Sequence, residues 1–253
     1  MEFIEINDQQ LEKITEYTLE NETHESTIHP FYENKKKKMF KLFKDPTSIE
    51  NKTKKIILLN ERLKDNKSVI KAECIIKHKG KIIGYTMPFI PGNQFNALTF
   101  RRKKNLEVLR KISKELKELH NHNIICGDLI NNIIVTKNGD PYFVDYDNFA
   151  IDNLGLDVKN IFLQDYEEVV KIFDYHYDYY ELNLYTLSIL SRISPKYLES
   201  QYRHQTYKLS FFDDEINKIV KKTFKLSSFY REDLIIDKIN SKKDLIKIKP
   251  RLF

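Results

Sequence analysis

The chain has 253 residues, with 43 Lys and Arg against 37 Asp and Glu, a net charge of +6. Hydrophobic residues make up 41%, including 16 Phe and 15 Tyr, which supports a packed core and excludes a disordered chain. Two cysteines, Cys74 and Cys126, exclude a disulfide framework, and no apolar run approaches the roughly 18 residues of a membrane span. The acidic start Met1-Glu2-Phe3-Ile4-Glu5 lacks a signal peptide's basic region, so a bacterial or viral cytoplasm is the expected location, with no membrane partner. Basic charge is dense only at Lys35 to Lys38 and Arg101 to Lys104. No aromatic platform accompanies either run, which disfavours nucleic acid as a partner.

In chain order, residues 14–20 and 27–34 read as a hairpin. Lys38 to Phe43 reads as a strand with Met39, Lys41 and Phe43 on one face and Phe40 and Leu42 on the other. After Pro46, Ile49 to Leu63 reads as a helix with Ile56, Leu59 and Leu63 aligned. Strands are expected over Ile70 to Lys77 and Lys81 to Phe89, turning at Lys79-Gly80. Pro88 and Pro91-Gly92 mark a break at about 88–92. The second part is mainly helical: Phe100 to His120 carries the stripe Leu106, Leu109, Ile112, Leu116 and Leu119. Short strands, Ile133 to Val135 and Pro141 to Val144, flank the turn Lys137-Asn138-Gly139-Asp140. Helices follow over Asp178 to Ile193 and Asp213 to Phe224, the latter capped by Asp213 or Asp214.

Three polar residues stand at turns against short apolar runs: Asp128 after Cys126-Gly127, Asn132 before Ile133-Ile134-Val135, and Asp145 after Phe143-Val144. Phosphoryl transfer needs such groups: metal ions on the phosphates, a cation on their oxygens, and a carboxylate that orients the attacking hydroxyl. Lys41 is the candidate cation, because a lysine on an apolar strand face is costly unless its ammonium meets an anion. A solvated strand edge is the plainer account, since its neighbours are also lysines.

The ordered set Lys41, Glu61, His120, Asp128, Asn132, Asp145 and Asp178 resembles the protein kinase-like superfamily over about residues 41–234. The resemblance implies an α+β, two-lobed fold in a single domain. A small N-terminal sheet lobe with one helix covers about 1–90, a hinge about 88–92, and a larger, mainly helical lobe about 93–253. It implies an ATP-dependent transferase acting on Ser or Thr of a protein, with ATP and Mg²⁺. Asp128 would be the catalytic base, and Asn132 and Asp145 the metal ligands. Lys41 would hold the phosphates, with Glu61 pairing it. Met87 would guard the adenine pocket, and the backbone at Phe89 and Ile90 would bind the adenine edge. His120 and Asp178 would be structural, Asp178 accepting hydrogen bonds from the catalytic-loop backbone. Arg231 would pair with Glu167 or Glu168.

Three departures stand against the family pattern. Only three residues separate Asp128 from Asn132, so the turn is tighter or Asn131 serves instead. Asn21 to Thr27 replaces the glycine-rich phosphate loop with two carboxylates and no glycine. Met39 stands where a small alanine faces adenine. A pseudokinase acting on a regulatory partner, or a small-molecule kinase of the same fold, is the alternative reading. Asp147 is a further metal ligand or a turn residue closing on Asn148.

Overall fold

The computed structural model describes residues 1–19, 25–45, 49–96, 98, 102–129, 132–151, 176–203, 214–224 and 234–239. Asn131, Glu167, Glu168, Asp213 and Arg231, singled out above, lie outside the described residues, as do residues 21–24 of the expected phosphate-loop region. The protein is α+β and divides into two compact units. The first comprises Met1–Pro91 and Tyr142–Asp147, the second Gly92–Pro141 and Asn148–Phe253.

The first unit is a mixed five-stranded sheet with two helices. Strand β1 (Glu2–Ile6) leads into helix α1 (Asp8–Thr15), then β2 (Ser26–Glu33), β3 (Lys36–Phe43), helix α2 (Ile49–Arg62), β4 (Cys74–His78) and β5 (Lys81–Pro88). The strand order is β1-β4-β5-β3-β2. Only the β1–β4 pair is parallel; β4–β5, β5–β3 and β3–β2 are antiparallel.

Two sequence expectations are corrected here. Residues 8–15 form a helix that runs into the stretch expected as a strand over 14–20, so the described residues of the unit hold two helices where one is expected. The signal lies at its start. Asn7 accepts from the Gln10 backbone, and Gln10 accepts from the Asn7 backbone, both at 2.9 Å, which is a capping box. Leu11 and Ile14, three residues apart, then pack on Ile6, Phe40 and Ile76. The partner of β2 in its hairpin is β3, joined through Asn34 and Lys35, both at positive φ as a tight hairpin turn requires.

Period-two alternation sorts the two sheet faces. Phe40, Leu42 and Ile76 lie on the α1 face. Met39, Lys41 and Phe43 take the other face, and Tyr85 and Met87 stand opposite Lys41 and Met39 in the β3–β5 ladder. Gly84, opposite Leu42, is there for want of a side chain: a Cβ would run into the Lys41 carbonyl oxygen. Helix α2 buries Ile56 and Leu59.

Strand β6 (Gly92–Gln94) opens the second unit. Helix α3 (Arg102–Asn121) follows, then β7 (Ile124–Ile125), β8 (Ile133–Thr136) and β10 (Ala150–Ile151); β9 (Pro141–Phe143) lies between β8 and β10 in the chain, and from Tyr142 on it belongs to the first unit. Strand β6 pairs antiparallel with β8, and β7 with β10. Helices α4 (His176–Ser191), α5 (Pro195–Arg203), α6 (Asp214–Phe224) and α7 (Ile235–Lys238) complete it. The expected stripe of α3 is fully buried: Leu106, Leu109, Ile112, Leu116 and Leu119 are at most 1% exposed.

Against α3, the turn before Pro141 leaves a cavity of about 300 Å³ lined by Lys103, Lys104, Glu107, Val108, Lys111, Asn138 and Gly139. It shares no residue with the sites described next. Among the described residues, no helix is long and apolar enough to cross a membrane.

Candidate functional site

In the first unit, chemistry gathers on the sheet face that carries Lys41. Its side chain is 3% exposed. The ammonium donates to Asp147 Oδ1 at 2.8 Å and Oδ2 at 3.0 Å, and it also pairs with Asp145. Burial by itself would lower the pKa of the Lys41 ammonium; the charges of Asp147 and Asp145 outweigh it and hold the group above its ordinary value. The plainer account of Lys41 as a solvated lysine is excluded by this burial.

Asp147 is completely buried, and Tyr85 donates its hydroxyl to Asp147 Oδ1 at 2.7 Å. Burial opposes the carboxylate's charge, but Lys41 and the Tyr85 hydrogen bond hold its pKa below the ordinary value. Burial pushes the Tyr85 hydroxyl well up, and the Asp147 and Asp145 charges add to that. Asp145, 30% exposed, sits at φ 60° in the left-handed region. A non-glycine residue held there costs about 1–3 kcal/mol, a strain that collects at functional positions.

Tyr146, between the two carboxylates, fastens this segment. Its hydroxyl accepts from the Ala72 backbone at 2.9 Å and donates to Asn60 Oδ1 at 3.0 Å. Its ring meets Tyr85 edge-on at 5.9 Å. The backbone ahead of it is tied down as well: Phe143 N–H donates to the Ser68 carbonyl at 2.7 Å, and Ile70 N–H to the Phe143 carbonyl at 2.8 Å.

Glu61 is exposed on α2, and the carboxylates that meet Lys41 are Asp147 and Asp145 instead. The α2 side chain turned toward this segment is Asn60, which also donates to the Ala72 carbonyl at 2.8 Å. Met87 is buried, Ile90 half-buried, and Phe89 exposed beneath the Lys37 ammonium, 4.1 Å from its ring centre.

The second unit holds a different arrangement, built on α4. That helix is buried nearly all round, including its polar residues Asp178, Glu181, Asn183, Thr186 and Ser188. Each makes at least one hydrogen bond to backbone. Asp178 accepts from Cys126 N–H at 2.9 Å, from Gly127 N–H at 2.7 Å, and meets His120 Nε2 at 2.8 Å. The other ring nitrogen of His120 meets the Tyr179 hydroxyl at 2.9 Å. Gly127 has φ 75°, which a side chain would resist. One turn along α4, Glu181 accepts from Leu129 N–H at 2.5 Å.

Asp128 therefore lies between two backbone segments held by two buried carboxylates. Burial raises the Tyr185 hydroxyl well above its ordinary pKa, and the Glu181 and Asp128 charges push the same way. Asn132 follows in a bend just ahead of β8, half-buried.

Sequence reasoning missed Glu181, Asn60 and Tyr85. The spacing Asp178-x-x-Glu181, one face of a helix, is a usable signal for the first. Nothing local marks the other two, because their partners are remote in sequence. No protein-family model matches the chain, and no curated protein matches it either.

Proposed function

We propose that the chain is an ATP-dependent phosphotransferase of the protein kinase-like fold, with a serine or threonine hydroxyl of a protein as acceptor. One observation carries this reading: the grip of Asp178 on Cys126, Gly127 and His120, immediately ahead of Asp128. A fully buried carboxylate is expensive, and here it is spent on fixing the backbone that presents another carboxylate. Phosphoryl transfer depends on such positioning rather than on covalent chemistry.

In this reading Asp128 orients the acceptor hydroxyl and takes its proton, and Lys41 binds the phosphate oxygens. Asn132 and Asp145 hold Mg²⁺, and Met87, Phe89 and Ile90 accommodate the adenine. Mg²⁺ takes one or two carboxylates beside phosphate oxygens and water, and the partly exposed Asp145 oxygen is a donor of that kind. When bound, the metal supplies charge neutralisation on the phosphates.

The test is incubation with Mg²⁺ and γ-labelled ATP, followed by mass spectrometry of the protein and of added polypeptide. Wild type is expected to transfer phosphate and Asp128→Asn to lose at least 100-fold, in line with the contribution of a positioned base. Equal transfer by both would remove Asp128 from the mechanism.

A second reading, a pseudokinase acting by docking a partner, is favoured by a different observation. Met39 and Met87 face each other across β3 and β5, both buried, on the face where a nucleotide base would need room. That reading expects no rise in melting temperature with Mg²⁺-ATP, whereas the enzyme reading expects one.

A further inference from the structure

We propose that Asp147, fixed by Tyr85, is the positioning residue for Lys41, and that Asp145 is the partner Lys41 exchanges for a phosphate. This rests on the phosphotransferase reading and assigns a role that Glu61 does not fill.

The two carboxylates on Lys41 are unequal. Asp147 is completely buried and offers both oxygens to the ammonium, at 2.8 and 3.0 Å. Its Oδ1 also receives the Tyr85 hydroxyl at 2.7 Å. Tyr85 stands directly opposite Lys41 in the β3–β5 ladder, so two neighbouring strands each send one donor to a single carboxylate. Removing Asp147 would leave the buried Lys41 ammonium with the partly exposed Asp145 alone and take from the buried Tyr85 hydroxyl its carboxylate acceptor. Asp145 is 30% exposed, and only its Oδ1 meets the ammonium. Being partly exposed, it already meets solvent, which Asp147 does not.

The surroundings hold Asp147 from the other side. Tyr146 is pinned by Ala72 and by Asn60, so α2 supports the segment through Asn60 and a tyrosine hydroxyl. A helix glutamate that reached the lysine directly would make Asp147 redundant, and Glu61 is turned out to solvent. The same burial argues against Asp147 as a metal ligand: its oxygens are already occupied by an ammonium and a phenol.

The experiment compares Mg²⁺-ATP affinity by titration calorimetry for wild type, Asp147→Asn, Tyr85→Phe and Glu61→Gln. A purely structural defect lowers the stoichiometry of binding and leaves Kd unchanged, whereas lost positioning raises Kd. Asp147→Asn is expected to raise Kd about tenfold and Tyr85→Phe about threefold, the scale of one charge-assisted and one neutral hydrogen bond. Glu61→Gln is expected to leave Kd unaltered. An unaltered Kd in Asp147→Asn, or a tenfold rise in Glu61→Gln, would overturn the assignment.

A nucleotide-free measurement separates this from failure of the enzyme reading. In ¹⁵N NMR of the unliganded protein, the Lys41 ammonium protons should be protected from exchange. Protection is expected to persist in Asp145→Asn and to vanish in Asp147→Asn and, partly, in Tyr85→Phe. The reverse order overturns the assignment whether or not wild type binds ATP. Wild type that binds no Mg²⁺-ATP overturns the phosphotransferase reading alone.

Discussion

Replacing Asp178 with alanine removes the acceptor for two buried backbone N–H groups, those of Cys126 and Gly127, and the partner of His120 Nε2. Each hydrogen bond to a charged group contributes about 1.5–3 kcal/mol net, and a buried donor left unpaired costs about 1–3 kcal/mol. The three partners do not add independently, because they share one carboxylate. We therefore expect Asp178→Ala to cost about 4 kcal/mol, a large part of the roughly 5–15 kcal/mol that holds a domain together. Asp178→Asn keeps one acceptor oxygen and turns an amide N–H₂ toward the other donors, so it should cost about 2 kcal/mol. Urea denaturation followed by circular dichroism reads the loss as a lower midpoint. Hydrogen exchange reads it locally: the Cys126 and Gly127 amides, protected in wild type, should exchange faster in both variants, most in Asp178→Ala. An Asp178→Ala protein within about 1 kcal/mol of wild type, with those two amides still protected, would show that the carboxylate does not organise the Asp128 loop.

Other outcomes follow from single sites. Asn7→Ala breaks the capping box of α1 and should lower stability by about 1 kcal/mol, seen as faster amide exchange confined to residues 8–15. Gly84→Ala sets a methyl group against the Lys41 carbonyl, which the sheet cannot yield, and should cost about 1–3 kcal/mol in thermal unfolding. Burial raises the Cys126 thiol well above its ordinary pKa, and the Asp178 and Glu181 charges push the same way. Iodoacetamide at pH 8 should therefore leave Cys126 unlabelled in the folded protein and label it in urea. Glu181→Ala should release the Leu129 amide to exchange while leaving the Cys126 and Gly127 amides protected.

Several features could be read from residues alone because they depend on neighbours in sequence. The alternation that puts Lys41 on a face with Met39 and Phe43 is local, and so is the burial stripe of α3. The turn residues around Asp128 and Asp145 announce themselves by composition. The anchor role of Asp178 came from the resemblance rather than from a local pattern; the residue is buried and accepts from the Cys126 and Gly127 N–H groups. The capping box at Asn7 was local, but the alternating residues 14–20 imitate a strand, and period-two and period-3.6 patterns are hard to separate over so few residues.

What the sequence could not contain is pairing across long separations. Lys41 and Asp147 are far apart along the chain, and no local pattern says that Asp147 rather than Glu61 receives the ammonium. That choice is made where β3 and β5 set Tyr85 opposite Lys41 and so bring a second donor to the same carboxylate. Nor could it say that Tyr142–Asp147, read as part of the second lobe, belongs to the first unit. Backbone hydrogen bonds from Phe143 to Ser68 and from Ile70 to Phe143, and the Tyr146 hydroxyl on Ala72, draw it there. Local order follows from torsional preference and hydrophobic periodicity. A buried charge is satisfied only by groups the fold brings to it, so its partner is settled by packing.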